Sequence, residues 1–230
     1  MSVDFLRHSG YCSPEILREP LNVVGVGATG SNIALLAARM GFTRFKIWDP
    51  DVVESHNLPN QVYDHHHIGA MKVDALADVL RRFNPEIRVE TYPDYFTSEQ
   101  KQLLDGPLIL TVDTMSARQE SIAAFQFNPM VKYVFETRLG FEHGELNIID
   151  NCSSQAVKLW ANTLLSDDKV PEGPCNQRIC TTLVTIVASF TVQLLCGMFV
   201  AEKNSQPWQY RTKTVFNLKD SLQVFDFNQK

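Results

Sequence analysis

Residues Leu21–Gly30 read LNVVGVGATG, and this stretch decides the fold. Asn22 to Val26 mix apolar and β-branched residues, as a strand buried inside a parallel sheet does. Gly25, Gly27 and Gly30 stand in G-x-G-x-x-G spacing, and Ser31 to Met40 reads as a helix directly behind them. A strand that turns through glycines into a helix aims backbone N–H groups at one spot, and the positive end of the helix dipole adds to it. Such a spot holds phosphate. The glycine spacing is a weak signal alone. Its context is a strand before, a helix after, and an acidic residue, Asp49, nineteen positions beyond Gly30.

Working outward, Arg44 to Trp48 (RFKIW) is a second strand. It ends in Asp49-Pro50-Asp51, where a carboxylate takes a ribose hydroxyl. A polar loop follows, Val52 to Gly69. Ile68 to Phe83 then carries apolar residues at helical spacing, with Lys72 in the first turn. A lysine there opposes the dipole, so it is either solvated or serving an anion. Ile87 to Thr91 reads as a strand and Ser98 to Leu104 as a helix. Pro107 to Val112 (PLILTV) is a buried strand ending at Asp113, and Thr114 to Phe127 is helical with Arg118 early in it. This alternation predicts an α/β, Rossmann-like, doubly wound and mostly parallel sheet.

After about residue 130 the pattern turns antiparallel. Lys132 to Glu136 is strand-like. Arg138 to Asp150 reads as a hairpin turning at His143-Gly144, and Tyr210 to Phe227 as a terminal hairpin. Between them lie a long polar loop, Cys152 to Arg178, and Thr181 to Ala201, 21 residues without a charge. That length spans a bilayer. Six Thr, Ser and Gln residues and the lack of a basic or aromatic girdle favour a long buried C-terminal helix in a core or a subunit interface. Met1 to Pro20 is an arm in which Ser13 caps a brief helix with Pro14 at its first position. The organisation expected is therefore an arm, 1–20, and one domain, 21–230, with a nucleotide-binding half at 21–130 and a second half at 131–230.

The 230 residues are 44% hydrophobic and 20% charged, enough for a sizeable core. The net charge of −5 gives no support to a nucleic-acid partner. Five cysteines, odd in number and without a C-x-x-C pair, fit neither a disulfide framework nor a four-thiolate zinc site. MSVDFLRHSG lacks the apolar core of a signal peptide, so a reducing cytoplasm is the expectation. The side chains of His65, His66 and His67 are successive and cannot all face one ion, so a solvated loop is expected there.

Five spaced motifs together resemble the ThiF/MoeB/HesA superfamily, the activating enzymes of ubiquitin-like and sulfur-carrier proteins. They are Gly25-Val26-Gly27-Ala28-Thr29-Gly30-Ser31; the run from Asp49-Pro50-Asp51 through Asn57-Leu58-Pro59-Asn60-Gln61; Ile68-Gly69-Ala70-Met71-Lys72; Asn84-Pro85; and Asp113 to Arg118. They cover residues 21 to 118; beyond 130 the likeness is one of pattern. The resemblance implies that Gly25, Gly27, Thr29 and Gly30 hold ATP phosphates. It implies that Asp49 or Asp51 binds the ribose, that Asn57, Gln61 and Lys72 serve the nucleotide, and that Asp113 binds Mg²⁺. The implied chemistry is attack by a small protein's C-terminal glycine carboxylate on the α-phosphorus of ATP, by a homodimeric transferase without membrane or nucleic-acid partners.

Two departures stand out. Asn60 replaces the family's arginine, and the zinc-binding C-x-x-C pairs of many members are absent, so no structural zinc is expected. Arg7 supplies a cation if, as in the family, an arm arginine reaches the partner subunit's nucleotide. Many members of the resembled family place a reactive cysteine just before the long helix, and the resemblance implies Cys175 for it, with Arg178 near, and Cys180 second and expected to be buried. Cys12, Cys152 and Cys196 read as structural. Arg118 has the family position but also suits a salt bridge, and Glu136 and Arg138 are placed along a groove for an extended peptide tail. The alternatives are ATP-dependent activation of a tRNA base or a peptide, an inactive nucleotide-binding dimer partner, and a nicotinamide-dependent oxidoreductase. The last leaves NLPNQ, IGAMK and DTMSAR unexplained.

Overall fold

A computed structural model describes residues 3–166, 180–219 and 221–228. One eight-stranded sheet organises them. Its strands are β1 (Leu21–Val24), β2 (Arg44–Trp48), β3 (Arg88–Tyr92), β4 (Leu108–Leu110), β5 (Tyr133–Leu139), β6 (His143–Asp150), β7 (Lys213–Asn217) and β8 (Gln223–Phe227). Their order is β3-β2-β1-β4-β5-β6-β7-β8. The first five run parallel, with Val23 opposite Ile47 on one side and Ile109 on the other. The last three add on antiparallel. The order reverses between β1 and β4, and in such sheets the crevice at the reversal is where ligands bind.

Five helices cover the sheet: α1 (Ala28–Met40), α2 (Lys72–Phe83), α3 (Met115–Phe125), α4 (Ser154–Ala161) and α5 (Thr181–Lys203). Because strand side chains alternate, each central strand feeds two cores. Val23, Ile47, Ile109 and Phe135 join the layer built with α1, α2 and α5. Val24, Trp48, Leu110 and Val134 join the layer that includes Phe125 of α3 and Trp160 of α4. Helix α5 packs on α1, β5 and β6 and buries ten residues. It is a core helix; Thr181 to Ala201 carry no charge, and Glu202 and Lys203 stand only in its last turn.

Several sequence expectations are corrected. The second helix starts at Lys72 rather than Ile68, because Gly69 turns the chain at φ +89° and Ile68 lies exposed. The hairpin turns at residues 140–142, and His143-Gly144 open β6, pairing with Asn217 and Phe216. The stretch taken as loop from Cys152 contains α4, whose N-cap Ser153 accepts from the Ala156 N–H. Residues Ser98–Leu103 form a 3-10 helix, and Thr114 caps α3 instead of belonging to it. In the arm, Pro14 opens a 3-10 turn, but Ser13 makes no capping bond.

Candidate nucleotide site

The glycine loop sits at the carboxyl end of β1, at the sheet's reversal point. Gly25 holds φ +83°, and a Cβ there would press on the backbone of Thr111 at 3.0 Å. A Cβ on Gly30 would collide with the Gly25 carbonyl oxygen, so only glycine lets α1 approach the strand end this closely. Gly27 differs, since nothing lies within 4 Å of a Cβ built on it. Gly27 is the N-cap of α1, and no side chain caps the helix. The first-turn N–H groups therefore lack intrahelical acceptors, beside the open space at Gly27, the arrangement that binds an anion. Thr29 lies buried within that turn.

Asp49 holds the loop from below. Its Oδ2 accepts the Val26 N–H at 2.8 Å and its Oδ1 accepts the Asp51 N–H at 3.0 Å. Burial pushes its carboxyl above the usual range, against the pull of Lys72 and these two hydrogen bonds. Lys72 is buried and serves an anion: Nζ lies 2.7 Å from Asp51 Oδ2 and 4.0 Å from Asp49 Oδ1. The Asp51 side chain is 61% exposed, so of the two strand-end carboxylates it is the one open to solvent.

The loop after β2 supplies the next wall. Asn57 Oδ1 accepts the Glu54 N–H in a capping box. Asn32 Nδ2 of α1 donates to the Asn60 carbonyl at 3.0 Å. The side-chain oxygens of Asn60 and Gln61 are buried without a partner among the described residues. Thr181 Oγ1, at the start of α5, donates to the Pro59 carbonyl. Asp113 follows β4 and is exposed; the nitrogen of its neighbour Val112 would lie 3.2 Å from a Cβ on Gly25. Glycine loop, Asp49, Asp51, Asn57, Gln61, Lys72 and Asp113 are thus on adjoining segments at one end of the sheet.

Other expected residues lie elsewhere. Pro14 packs on Gly41 at the end of α1, and the Tyr11 hydroxyl donates to the Gln193 carbonyl on α5. The arm thus lies at the far end of α1, roughly 20 Å of helix from the glycine loop. Arg7 is exposed, and no hydrogen bond or ion pair among the described residues joins it to its own chain's site. Cys175 and Arg178 fall outside the described residues. Cys180 is partly exposed rather than buried, at the N-cap of α5. Hydrogen bonds from the Leu183 and Thr182 N–H groups hold its thiol below the ordinary pKa. Cys12 and Cys196 are buried free thiols joined by a hydrogen bond, whereas Cys152 is exposed and has no place in the core.

Glu136 does not line a groove. It is fully buried, taking Arg118 Nε at 2.6 Å, Arg138 Nε at 2.9 Å, Asn147 Nδ2 at 2.8 Å and Trp160 Nε1 at 3.1 Å. Burial pushes its carboxyl up, but the two guanidinium groups and these hydrogen bonds outweigh that and leave it below the usual carboxylate range. Arg118 also donates to the Thr114 and Thr137 carbonyls, so it braces the segment that follows Asp113. His66, His67 and Asp64 do converge within 4.8 Å, but Arg82 bonds both Asp64 and Asp78 there and supplies the countercharge.

The sequence profile described as ThiF family matches residues 15–227. The chain belongs to the ThiF family. Within this ThiF-family chain, 78 residues are 35% identical to "Ubiquitin-like modifier-activating enzyme 5" of Bombyx mori; they make up 34% of this chain and 20% of that relative. The match thus spans about a fifth of the relative's length. Among solved structures, E. coli MccB with ATP superposes at a TM-score of 0.69 and 14% identity, covering 97% of this chain and 69% of that one. The E. coli tRNA N6-threonylcarbamoyladenosine dehydratase TcdA, in complex with AMP, gives 0.66 and 20%, covering 83% and 90%. At these identities the likeness establishes the shared ThiF-type fold. Tyr63, the lone Phe, Tyr or Trp of the polar loop, is a residue that sequence reasoning passed over: its hydroxyl donates to the Val26 carbonyl at 2.6 Å, under the glycine turn.

Proposed function

We propose that this chain transfers AMP from ATP to the C-terminal carboxylate of a small partner protein of the ubiquitin-like or sulfur-carrier kind. The observation that carries this reading is the uncapped end of α1, open at Gly27, with Lys72 and the exposed carboxylates of Asp51 and Asp113 on the adjoining segments. The name borne by the Bombyx mori relative and the adenine nucleotides bound to MccB and TcdA support it.

In this reading a carboxylate oxygen of the partner attacks the α-phosphorus of ATP. The bond from that phosphorus to the bridging oxygen breaks, and pyrophosphate leaves with the electron pair. An acyl-adenylate remains. The helix N–H groups and Lys72 hold the phosphate oxygens where charge accumulates, which is the main way such transfers are accelerated. Asp49 or Asp51 orients the ribose, and Asn57 and Gln61 border the phosphates. Asp113 would hold Mg²⁺, which would neutralise phosphate charge. Asn60 leaves one family cation missing; Arg7 from a second copy of the chain fills that role in a homodimer. The thiolate of Cys175 or Cys180 then attacks the acyl carbon, the bond from that carbon to the phosphate oxygen breaks, and AMP leaves with the electron pair, giving a thioester. The reaction is assigned to the cytoplasm.

ATP–pyrophosphate exchange tests the reading. Exchange that requires a Gly-ended small protein and disappears in Asp113→Ala is the expected result. TcdA's fold, matched over most of its length, favours a second reading in which the activated group belongs to a non-protein substrate. Exchange with a peptide or RNA alone would select that one, and nucleotide binding without any exchange would mark an inactive dimer partner.

A further inference from the structure

We propose that Tyr63 is a positioning residue for phosphate binding, and that it acts by fixing the peptide between Val26 and Gly27. This rests on the nucleotide-binding reading above. Both backbone polar groups of Val26 are held by side chains from other segments. Asp49 Oδ2 takes its N–H at 2.8 Å, and the Tyr63 hydroxyl donates to its carbonyl at 2.6 Å. Val26 is fully buried and Tyr63 nearly so, which keeps water from competing for that carbonyl.

The geometry makes this bond more than a tether. The peptide is trans, so the carbonyl of Val26 and the N–H of Gly27 point in opposite directions. Holding the carbonyl on Tyr63 turns the Gly27 N–H away from the core. Gly27 is where the loop is open, and its N–H stands at the head of the uncapped turn of α1. If the carbonyl were released, the peptide could turn about ψ of Val26 and φ of Gly27, and on the Gly27 side no Cβ resists that turn. A rotated peptide presents an oxygen to the phosphate in place of a hydrogen. Asp49 alone does not prevent this, because it holds the other peptide of Val26.

Tyr63→Phe removes the hydroxyl and keeps the ring, which packs in the core and edge-on to His67 at 6.2 Å. The test is calorimetric titration of wild type and Tyr63→Phe with Mg·ATP, AMP and adenosine. Wild-type binding of ATP tests the reading on which this rests. The expected result for the variant is Kd values for ATP and AMP raised about two- to tenfold, the loss of one hydrogen bond, with adenosine affinity unchanged because adenosine has no phosphate. ATP and AMP binding equal to wild type, or a loss of equal size for all three ligands, overturns the proposal while leaving the nucleotide reading in place. A wild-type protein that binds none of the three overturns both. Circular dichroism and Tm of the variant show whether it has folded, and Tyr63→Trp, whose indole N–H restores a donor, provides a second variant. Phosphate-ligand affinity no nearer to wild type in Tyr63→Phe than in Tyr63→Leu also counts against the ring-retaining argument.

Discussion

Thr181 Oγ1 donates a 2.9 Å hydrogen bond to the carbonyl of Pro59, joining the first residue of α5 to the loop that carries Asn57, Asn60 and Gln61. The two residues are 122 positions apart, so this bond sets where the start of the apolar helix stands relative to the phosphate side. It is exposed to solvent, which limits its worth to about 0.5–1 kcal/mol. Thr181→Val should therefore lower Tm by only about 1–4 °C. The KM for ATP in the exchange assay should rise by a larger proportion than kcat falls. An unchanged KM would mean that the loop keeps its place without this bond.

Cys180 should be the more reactive of the two exposed or partly exposed thiols among the described residues. The Leu183 and Thr182 N–H groups point at its sulfur and stabilise the thiolate, and the α5 dipole acts in the same direction. Alkylation by iodoacetamide, followed by mass spectrometry across pH 6 to 10, should give Cys180 a midpoint below that of a cysteine in an unstructured peptide. Thr182→Pro, which removes one of those N–H donors at a position where the helix tolerates proline, should move the midpoint up. A Cys180 midpoint equal to that of the peptide would show that the helix end does not act on it.

Glu136 is the sole carboxylate between two guanidinium groups, and breaking such a buried set by removing one partner costs about 3–5 kcal/mol. Glu136→Gln keeps the shape and should lose about that much in urea unfolding at pH 7. The pH dependence has a definite sign. The folded-state pKa lies below the unfolded value of about 4.3. Its stabilisation is therefore complete above that value and is lost as pH falls through the folded one. The gap between wild type and Glu136→Gln should narrow on acidification below about pH 4. A gap independent of pH would place the stabilisation in packing rather than charge.

The nucleotide half was legible because its chemistry is local. Gly25 and Gly30 are fixed by their close approach to each other and to Thr111, and Asp49 by a strand end. The parallel order follows from strand–helix alternation, which leaves a clear periodic trace. What was missed depends on partners distant in sequence. Glu136 looks like an exposed strand-end carboxylate until Arg118, Asn147 and Trp160 close around it, and Trp160 belongs to α4, eight residues inside a polar stretch with weak periodicity. Cys180 opens an apolar segment, so hydropathy buries it, whereas the helix end leaves it partly exposed. Tyr63 carried one usable signal, an aromatic ring without apolar neighbours at strand or helix spacing. Such a ring in a polar loop is either exposed or hydrogen-bonded at its tip.

Lys72 separates ligand binding from stability. Its ammonium is nearly buried, yet its closest partner Asp51 is mostly in water. Lys72→Met therefore leaves Asp51 solvated instead of stranded, and the direct stability cost should be small. Asp49 feels the change more. Burial already pushes its carboxyl up, and Lys72 is the chief influence holding it down. In the variant the folded-state pKa of Asp49 rises further above its unfolded value. A raised carboxyl gives stability that is present below the unfolded pKa and lost as pH rises through the folded one. The destabilisation of Lys72→Met should thus be least near pH 4 and grow towards pH 7. Phosphate binding should respond more strongly, because a charge-assisted bond contributes about 1.5–3 kcal/mol. The Kd for Mg·ATP should rise about 10- to 100-fold, with adenosine little affected. If ATP affinity survives, Lys72 serves Asp51 alone, and the anion it was expected to hold is the carboxylate rather than the triphosphate.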